Sequence, residues 1–178
     1  MKKIILFLTI NLIFLANNYL LAQTCENYVP NKWPNSRYTD HSNGTVTDNQ
    51  TKLMWKKCAE GLSGNDCNEG TGSTYNWTQA LQSVNNHSFA SHDDWRLPNI
   101  KELSSLAARH CYDPSINLSF FPNTPANYFW SSSPSVSAPF NNFSLHEWAW
   151  RLNFEFGSAY YDERNISNYY VRLVRSVE

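Results

Sequence analysis

Four cysteines, Cys25, Cys58, Cys67 and Cys111, restrict this chain more than any other feature, because all of them follow a stretch built like an export signal. Positive Lys2-Lys3 precede an apolar run from Ile4 to Ala16, and Leu20-Leu21-Ala22 set a small residue ahead of Gln23. Charge, apolar core and small residue in that order predict a secretory leader, residues 1–22, cut after Ala22. A membrane anchor is the competing reading, since residues 4–22 approach the ~20 a bilayer needs. Asn11, Asn17 and Asn18 interrupt the run with amides that are costly to bury in hydrocarbon. Lipid attachment at Cys25 lacks the small residue such a signal carries beside its cysteine, since Thr24 stands there.

An even number of cysteines bound for an oxidising compartment predicts two disulfides. Three pairings are open, and Cys58 with Cys67 is favoured because residues 59–66 form a polar, glycine-bearing loop that can fold back on itself. Cys25 with Cys111 then follows by exclusion. That second bridge would tether an N-terminal arm, residues 23–37, and constrain the unfolded chain by on the order of 4 kcal/mol. The spacings do not resemble paired CxxC metal ligands, so no metal or other cofactor is expected.

The remaining residues, 38–178, suffice for one domain with a sizeable core. The whole sequence has a net charge of −1, and loss of Lys2 and Lys3 with the leader makes the mature chain more acidic. Bulk electrostatics therefore give no support for a nucleic-acid partner. Once the leader is cut, no membrane span is expected.

Gly44-Thr45-Val46-Thr47-Asp48, the polar Asn49-Gln50-Thr51 and Leu53-Met54-Trp55 predict a β-hairpin. Asn76 can cap a helix whose Trp77, Ala80, Leu81 and Val84 recur at helical spacing. A second helix is marked by Asn99 as cap, Glu102 three residues on, and Ile100, Leu103, Leu106 and Ala107. Further on, Pro114, Pro122, Pro125 and the serine-rich 131–137 read as loop. Trp148, Trp150, Leu152, Phe154 and Phe156 alternate with Ala149, Arg151, Asn153 and Glu155, which predicts a half-buried strand turning at Gly157-Ser158. Tyr169 to Val174 predicts a last strand. The fold class is α+β: two helices packed on a largely antiparallel β-sheet, with long loops.

Several short motifs then occur in one order: Gly44-Thr45-Val46-Thr47-Asp48-Asn49, Leu53-Met54-Trp55, Asp94-Trp95-Arg96-Leu97-Pro98-Asn99, Glu102-Leu103, Phe121-Pro122-Asn123-Thr124-Pro125, Tyr128-Phe129-Trp130-Ser131-Ser132 and Tyr170-Val171-Arg172. Together they resemble the Lcl C-terminal domain family, bacterial exported modules named after the end of a Legionella collagen-like adhesin. The resemblance spans roughly residues 38–176. It implies a C-type-lectin-like fold and, for the named adhesin, attachment to sulfated glycosaminoglycans. Two departures stand out: Lys52 where relatives often carry Gly, and Leu173-Val174-Arg175-Ser176 where they often carry Cys-Val-Arg-Gly. The first is expected to strain the hairpin turn.

For function, Tyr160, Tyr161, Asp162 and Arg164 are the candidate ligand-binding residues, read as an exposed turn after the regular Trp148–Phe156 segment. Tyr169, Tyr170, Trp130, Arg151, Asn153 and Glu155 add flat rings and hydrogen-bonding groups, although core packing also uses such residues. Trp95 and Arg96 read as structural, one filling the core and the other meeting carbonyls and a carboxylate. Asp93 and Asp94 suggest calcium only weakly, since the paired signatures of calcium-dependent lectins are absent. His41, His87, His92, His110 and His146 lie in no nucleophile motif, so no catalytic residue is assigned. The expectation is a secreted, periplasmic or surface binding module for a glycan or surface polymer, with an envelope-protein partner as the alternative.

Overall fold

The computed structural model describes residues 22–85, 87–135 and 147–177. The expected leader up to residue 21, the end of the serine-rich stretch and His146 lie outside them. In chain order come β1 (Thr24–Cys25), a 3-10 turn (Asn35–Arg37), β2 (Tyr38–Asp40), β3 (Thr45–Asp48), β4 (Leu53–Lys56), β5 (Leu62–Ser63), β6 (Glu69–Gly70) and β7 (Thr74–Tyr75). Helices α1 (Trp77–Gln82) and α2 (Ile100–Ser105) follow, then β8 (Cys111–Tyr112), β9 (Tyr128–Ser135), β10 (Trp148–Asn153), β11 (Ser158–Glu163), β12 (Tyr169–Tyr170) and β13 (Val174–Ser176).

The α+β class holds, but the strands do not form one sheet. Five of them pair in the order β11-β10-β9-β12-β7, four in the order β13-β4-β3-β2, and two small ribbons join β1 to β8 and β5 to β6. All the pairings are antiparallel except that of β12 with β9.

The expected hairpin is β3–β4, with Asp48 opposite Leu53. Arg37 forks onto Asp48 at 2.8 and 2.5 Å, and both side chains are nearly inaccessible. Burial pushes the Asp48 carboxyl up, yet the hydrogen bonds and charge of Arg37, with the Gln50 amide, outweigh it and hold the group below its ordinary value. Lys52 closes the turn at φ +59°, in the left-handed region that disfavours a side chain, so the strain expected there is present.

Both helices start as expected, each with a reciprocal capping box: Asn76 with Gln79, and Asn99 with Glu102. Leu103, Leu106 and Ala107 meet Phe129, Leu152 and Phe154 in one core cluster. Ala80 joins Trp95, Leu97, Trp130 and Ala149 in a second. The five-stranded sheet is thus partly covered on both faces.

That arrangement corrects the reading of Trp148–Phe156. Leu152 and Phe154 are fully buried, but the strand ends at Asn153 and the turn through Gly157 leaves Phe156 56% exposed. The alternate residues are not simply outward either, since Ala149 is fully buried. Gly157 is required at this turn: its φ is +71°, and a Cβ there would lie 2.5 Å from Ser115 Oγ.

The last expected strand divides in two, β12 in one sheet and β13 in the other. Arg172 sits at the crossing, fully buried. It donates to the carbonyls of Lys56 and Lys57 and, at 2.7 Å, to Thr124 Oγ1. A single hydrophobic run cannot reveal a change of sheet, because both halves need the same residue types.

The disulfides pair Cys58 with Cys67 and Cys25 with Cys111, as expected. The second holds the arm against β8, and Trp33 reinforces it by donating its indole N–H to the Ser105 carbonyl at 2.7 Å.

Candidate functional site

Strand register collects polar and aromatic side chains on one face of the five-stranded sheet, with Trp130 and Asn153 buried beneath the accessible ones. Arg151 lies opposite Tyr160, Ala149 opposite Asp162, and Asn153 opposite Tyr128, so Tyr128, Arg151, Tyr160 and Asp162 point to the same side. The parallel pairing of Tyr170 with Phe129 puts Tyr169 there as well. The Arg151 guanidinium carbon stands 3.6 Å from the Tyr128 ring centre and 4.5 Å from that of Tyr169. One of its terminal nitrogens is 2.9 Å from Asp162 Oδ2, and the Tyr169 hydroxyl donates to the same oxygen at 2.6 Å. Tyr160 meets Tyr128 edge-on at 6.2 Å and is 45% exposed, which makes it the rim of the patch.

The electrostatics are those of a closed pair with aromatic walls. Burial, then the hydrogen bond to Asp162, raise the Tyr169 pKa, so its hydroxyl stays a donor at neutral pH. Arg151 is half-buried and its Nε is buried without a hydrogen-bond partner. Such a surface offers flat rings for stacking, a planar donor and a carboxylate acceptor, with no uncompensated charge among them.

Two of the four expected site residues, Tyr160 and Asp162, belong to this face. The others do not, and the expected turn is in fact an edge strand, β11. Strand alternation sends Tyr161 to the opposite face, where its ring packs edge-on against Trp148 at 5.7 Å and Trp150 at 5.6 Å. Arg164 follows the strand and acts as a clamp: its Nε donates to the Trp148 carbonyl at 2.9 Å and its guanidinium lies 4.2 Å from the Trp77 ring centre. A period of two along Ser158–Glu163 is the signal that separates Tyr160 and Asp162 from Tyr161. Arg151 and Tyr169 stood in the wider expected set, whereas Tyr128 did not. Its place depends on a pairing between distant segments that no local pattern encodes.

Elsewhere the segment around Trp95 is structural. Trp95 is buried and donates to the Phe89 carbonyl at 3.0 Å, and Arg96 forks onto Glu102 with two 2.7 Å bonds. Asp94 accepts from Arg175 at 2.7 Å. His41 shares a hydrogen bond with Thr47, His92 meets Trp95 edge-on, and His110 stacks on Trp33. Cys25, His110 and Cys111 are the one trio among the described residues spaced to hold a metal ion, but the two sulfurs are joined to each other. Among the described residues no helix is long and apolar enough to cross a membrane.

Fold and site together define a small disulfide-bonded α+β domain with an aromatic-polar sheet face. The chain belongs to the Lcl C-terminal domain family, whose model matches residues 44–175. That span contains both capped helices, the Cys58–Cys67 loop and every residue of the Tyr128–Arg151–Tyr169 face. No curated protein sequence matches the chain.

Proposed function

We propose that this chain is an exported bacterial domain, secreted, periplasmic or displayed at the cell surface. It works as a non-catalytic binding module for a glycan or surface polymer, on a C-type-lectin-like fold. The observation that carries this reading is the guanidinium of Arg151 laid against the touching rings of Tyr128 and Tyr169, whose centres are 5.2 Å apart, with Tyr160 exposed at the rim. Tyrosine rings give contact area at low entropic cost, and the neighbouring donors and acceptors can read hydroxyls. Because Asp162 already balances Arg151, attraction is short-range and binding weakens only mildly with added salt.

A glycan array probed with the mature, oxidised chain tests the proposal. Binding to at least one extended glycan is expected, and it should be lost when Tyr128 and Tyr160 are both replaced by Ala. An array with no bound glycan, or a double variant that binds as the parent does, would reject it. The second reading, attachment to an envelope protein, draws on Phe156 and Ile166, which are 56% and 75% exposed. A cross-link from those residues to an envelope protein, with the array blank, would favour it.

A further inference from the structure

A cleft of about 330 Å³ lies between the entry to β3, the end of β4 and the loop closed by the Cys58–Cys67 disulfide. It shares no residue with the tyrosine–arginine face. Asn43, Gly44, Lys56, Gly64, Asn65 and Phe89 line it. Phe89 lies directly on Gly44, where an added Cβ would stand 2.7 Å from the ring's Cζ, so this aromatic wall depends on a bare backbone. The Lys56 ammonium is 4.7 Å from the Phe89 ring centre and 2.7 Å from Glu60 Oε1. An ammonium has three donors, and the contact with Glu60 is an ion pair without hydrogen-bond geometry.

The remaining groups are neutral hydrogen-bonding ones. Asn43 Oδ1 accepts from the Thr45 amide at 3.1 Å and hydroxyl at 2.7 Å, and its Nδ2 has no partner among the described residues. Among the described residues the exposed Asn65 side chain has no hydrogen-bond partner. The volume falls at the small end of ligand clefts, so it suits one ring-sized unit. Glu60 cancels the charge of Lys56, which removes the advantage an anionic ligand would have.

We propose that this cleft binds one uncharged pyranose unit, with the apolar face of the sugar on Phe89 and its hydroxyls on Asn43, Asn65 and Lys56. The disulfide closes the loop that presents Gly64 and Asn65, so it shapes one wall of the cleft. The site goes beyond the sheet-face proposal and does not depend on it.

The test is a titration of the mature, oxidised chain with methyl glucoside, methyl galactoside, methyl mannoside and methyl glucuronide. It follows the backbone amide signals of Gly44 and Gly64 and the side-chain amides of Asn43 and Asn65 by NMR. At least one neutral glycoside is expected to shift all of them saturably at millimolar concentration. Asn65→Ala should weaken this binding about tenfold without changing the melting temperature. Asn65→Asp, which keeps the size and removes the donors, should act alike, and Arg151→Leu should leave the titration unchanged. No saturable shift up to tens of millimolar glycoside would overturn the proposal, as would tighter binding of the glucuronide or parental affinity in both Asn65 variants.

Discussion

Two arginines, each close to two aromatic rings, differ in what holds them: one is locked by main-chain acceptors and the other meets a partly exposed carboxylate. Arg172 stands 5.1 and 6.0 Å from the ring centres of Phe121 and Phe129, is fully buried, and donates to two main-chain carbonyls and a threonine. Arg151 lies against the adjoining rings of Tyr128 and Tyr169 and meets a carboxylate that is 24% exposed. The Phe rings offer no hydrogen-bonding group, while each Tyr ring ends in a hydroxyl. Burial pulls the Arg172 pKa down to about 9, opposed by the charge of Glu60, so the guanidinium is held where water would solvate it better. Similar side-chain arrangements thus do different work: one is anchored on the backbone where the chain passes from one sheet to the other, the other closes on side chains alone.

The largest expected effect is at the locked site. Arg172→Leu removes the donors for the Lys56 and Lys57 carbonyls and for Thr124, leaving buried acceptors unpaired. A loss of about 3 kcal/mol or more follows, read as a fall in the urea midpoint of the oxidised chain. Arg172→Lys keeps a charge but cannot supply the planar fork, so its loss should also be large. A near-neutral Arg172→Leu would show that the sheets are held together by apolar packing alone.

At Arg151 the expected order is reversed, with more effect on binding than on stability. Arg151→Leu removes a half-buried pair with Asp162 and leaves the Tyr169 hydroxyl and the Glu163 amide as that carboxylate's hydrogen-bond donors, so stability should fall by about 1 kcal/mol. Glycan binding at the sheet face should disappear in the same variant. If it unfolds the chain as readily as Arg172→Leu does, the contrast between the two sites fails and the exposed patch is part of the core.

Much of this contrast is hidden from the sequence. The cysteine pairing, the β3–β4 hairpin and both helix caps are legible because each depends on residues close together in the chain: the 58–67 loop, the turn before Leu53, and Asn76 and Asn99 with their third-residue partners. Tyr128 and Arg172 are different. Tyr128 enters the site through the pairing of β9 with β10 and β12, and Arg172 becomes buried only because the chain changes sheets between Tyr170 and Val174. The Tyr160–Arg164 segment reads as one cluster in the sequence because a turn and a short edge strand share composition, whereas only the strand splits neighbours onto opposite faces.

A smaller effect of opposite sign is expected at the hairpin whose far end receives Arg172. Lys52 has φ +59°, so Lys52→Gly removes left-handed strain while giving the unfolded chain more freedom. The balance is a gain of about 0.5–1 kcal/mol. Combined with Arg172→Lys the gain should add nearly unchanged, because the turn and the buried guanidinium share no partner. A double variant that recovers none of it would mean that strain in the turn is transmitted along β4 to the Lys56 carbonyl.

The smallest expected change in stability is at Tyr160. Its ring is 45% exposed and touches Tyr128 only edge-on at 6.2 Å, so Tyr160→Ala should leave the melting midpoint within about 0.5 kcal/mol of the parent. Arg151, Asp162 and Tyr169 keep every bond among themselves in that variant. Any loss of glycan affinity therefore reports contact with the ligand, and a loss of about 1–2 kcal/mol is expected for an aromatic residue at the edge of a binding surface. Tyr161→Ala is the matched control from the next position. Its ring packs between Trp148 and Trp150 on the other face, so it should cost more stability and leave affinity unchanged. Should Tyr161→Ala weaken binding while Tyr160→Ala does not, the ligand lies on the tryptophan side of the sheet, and Arg151 is a structural residue like Arg172.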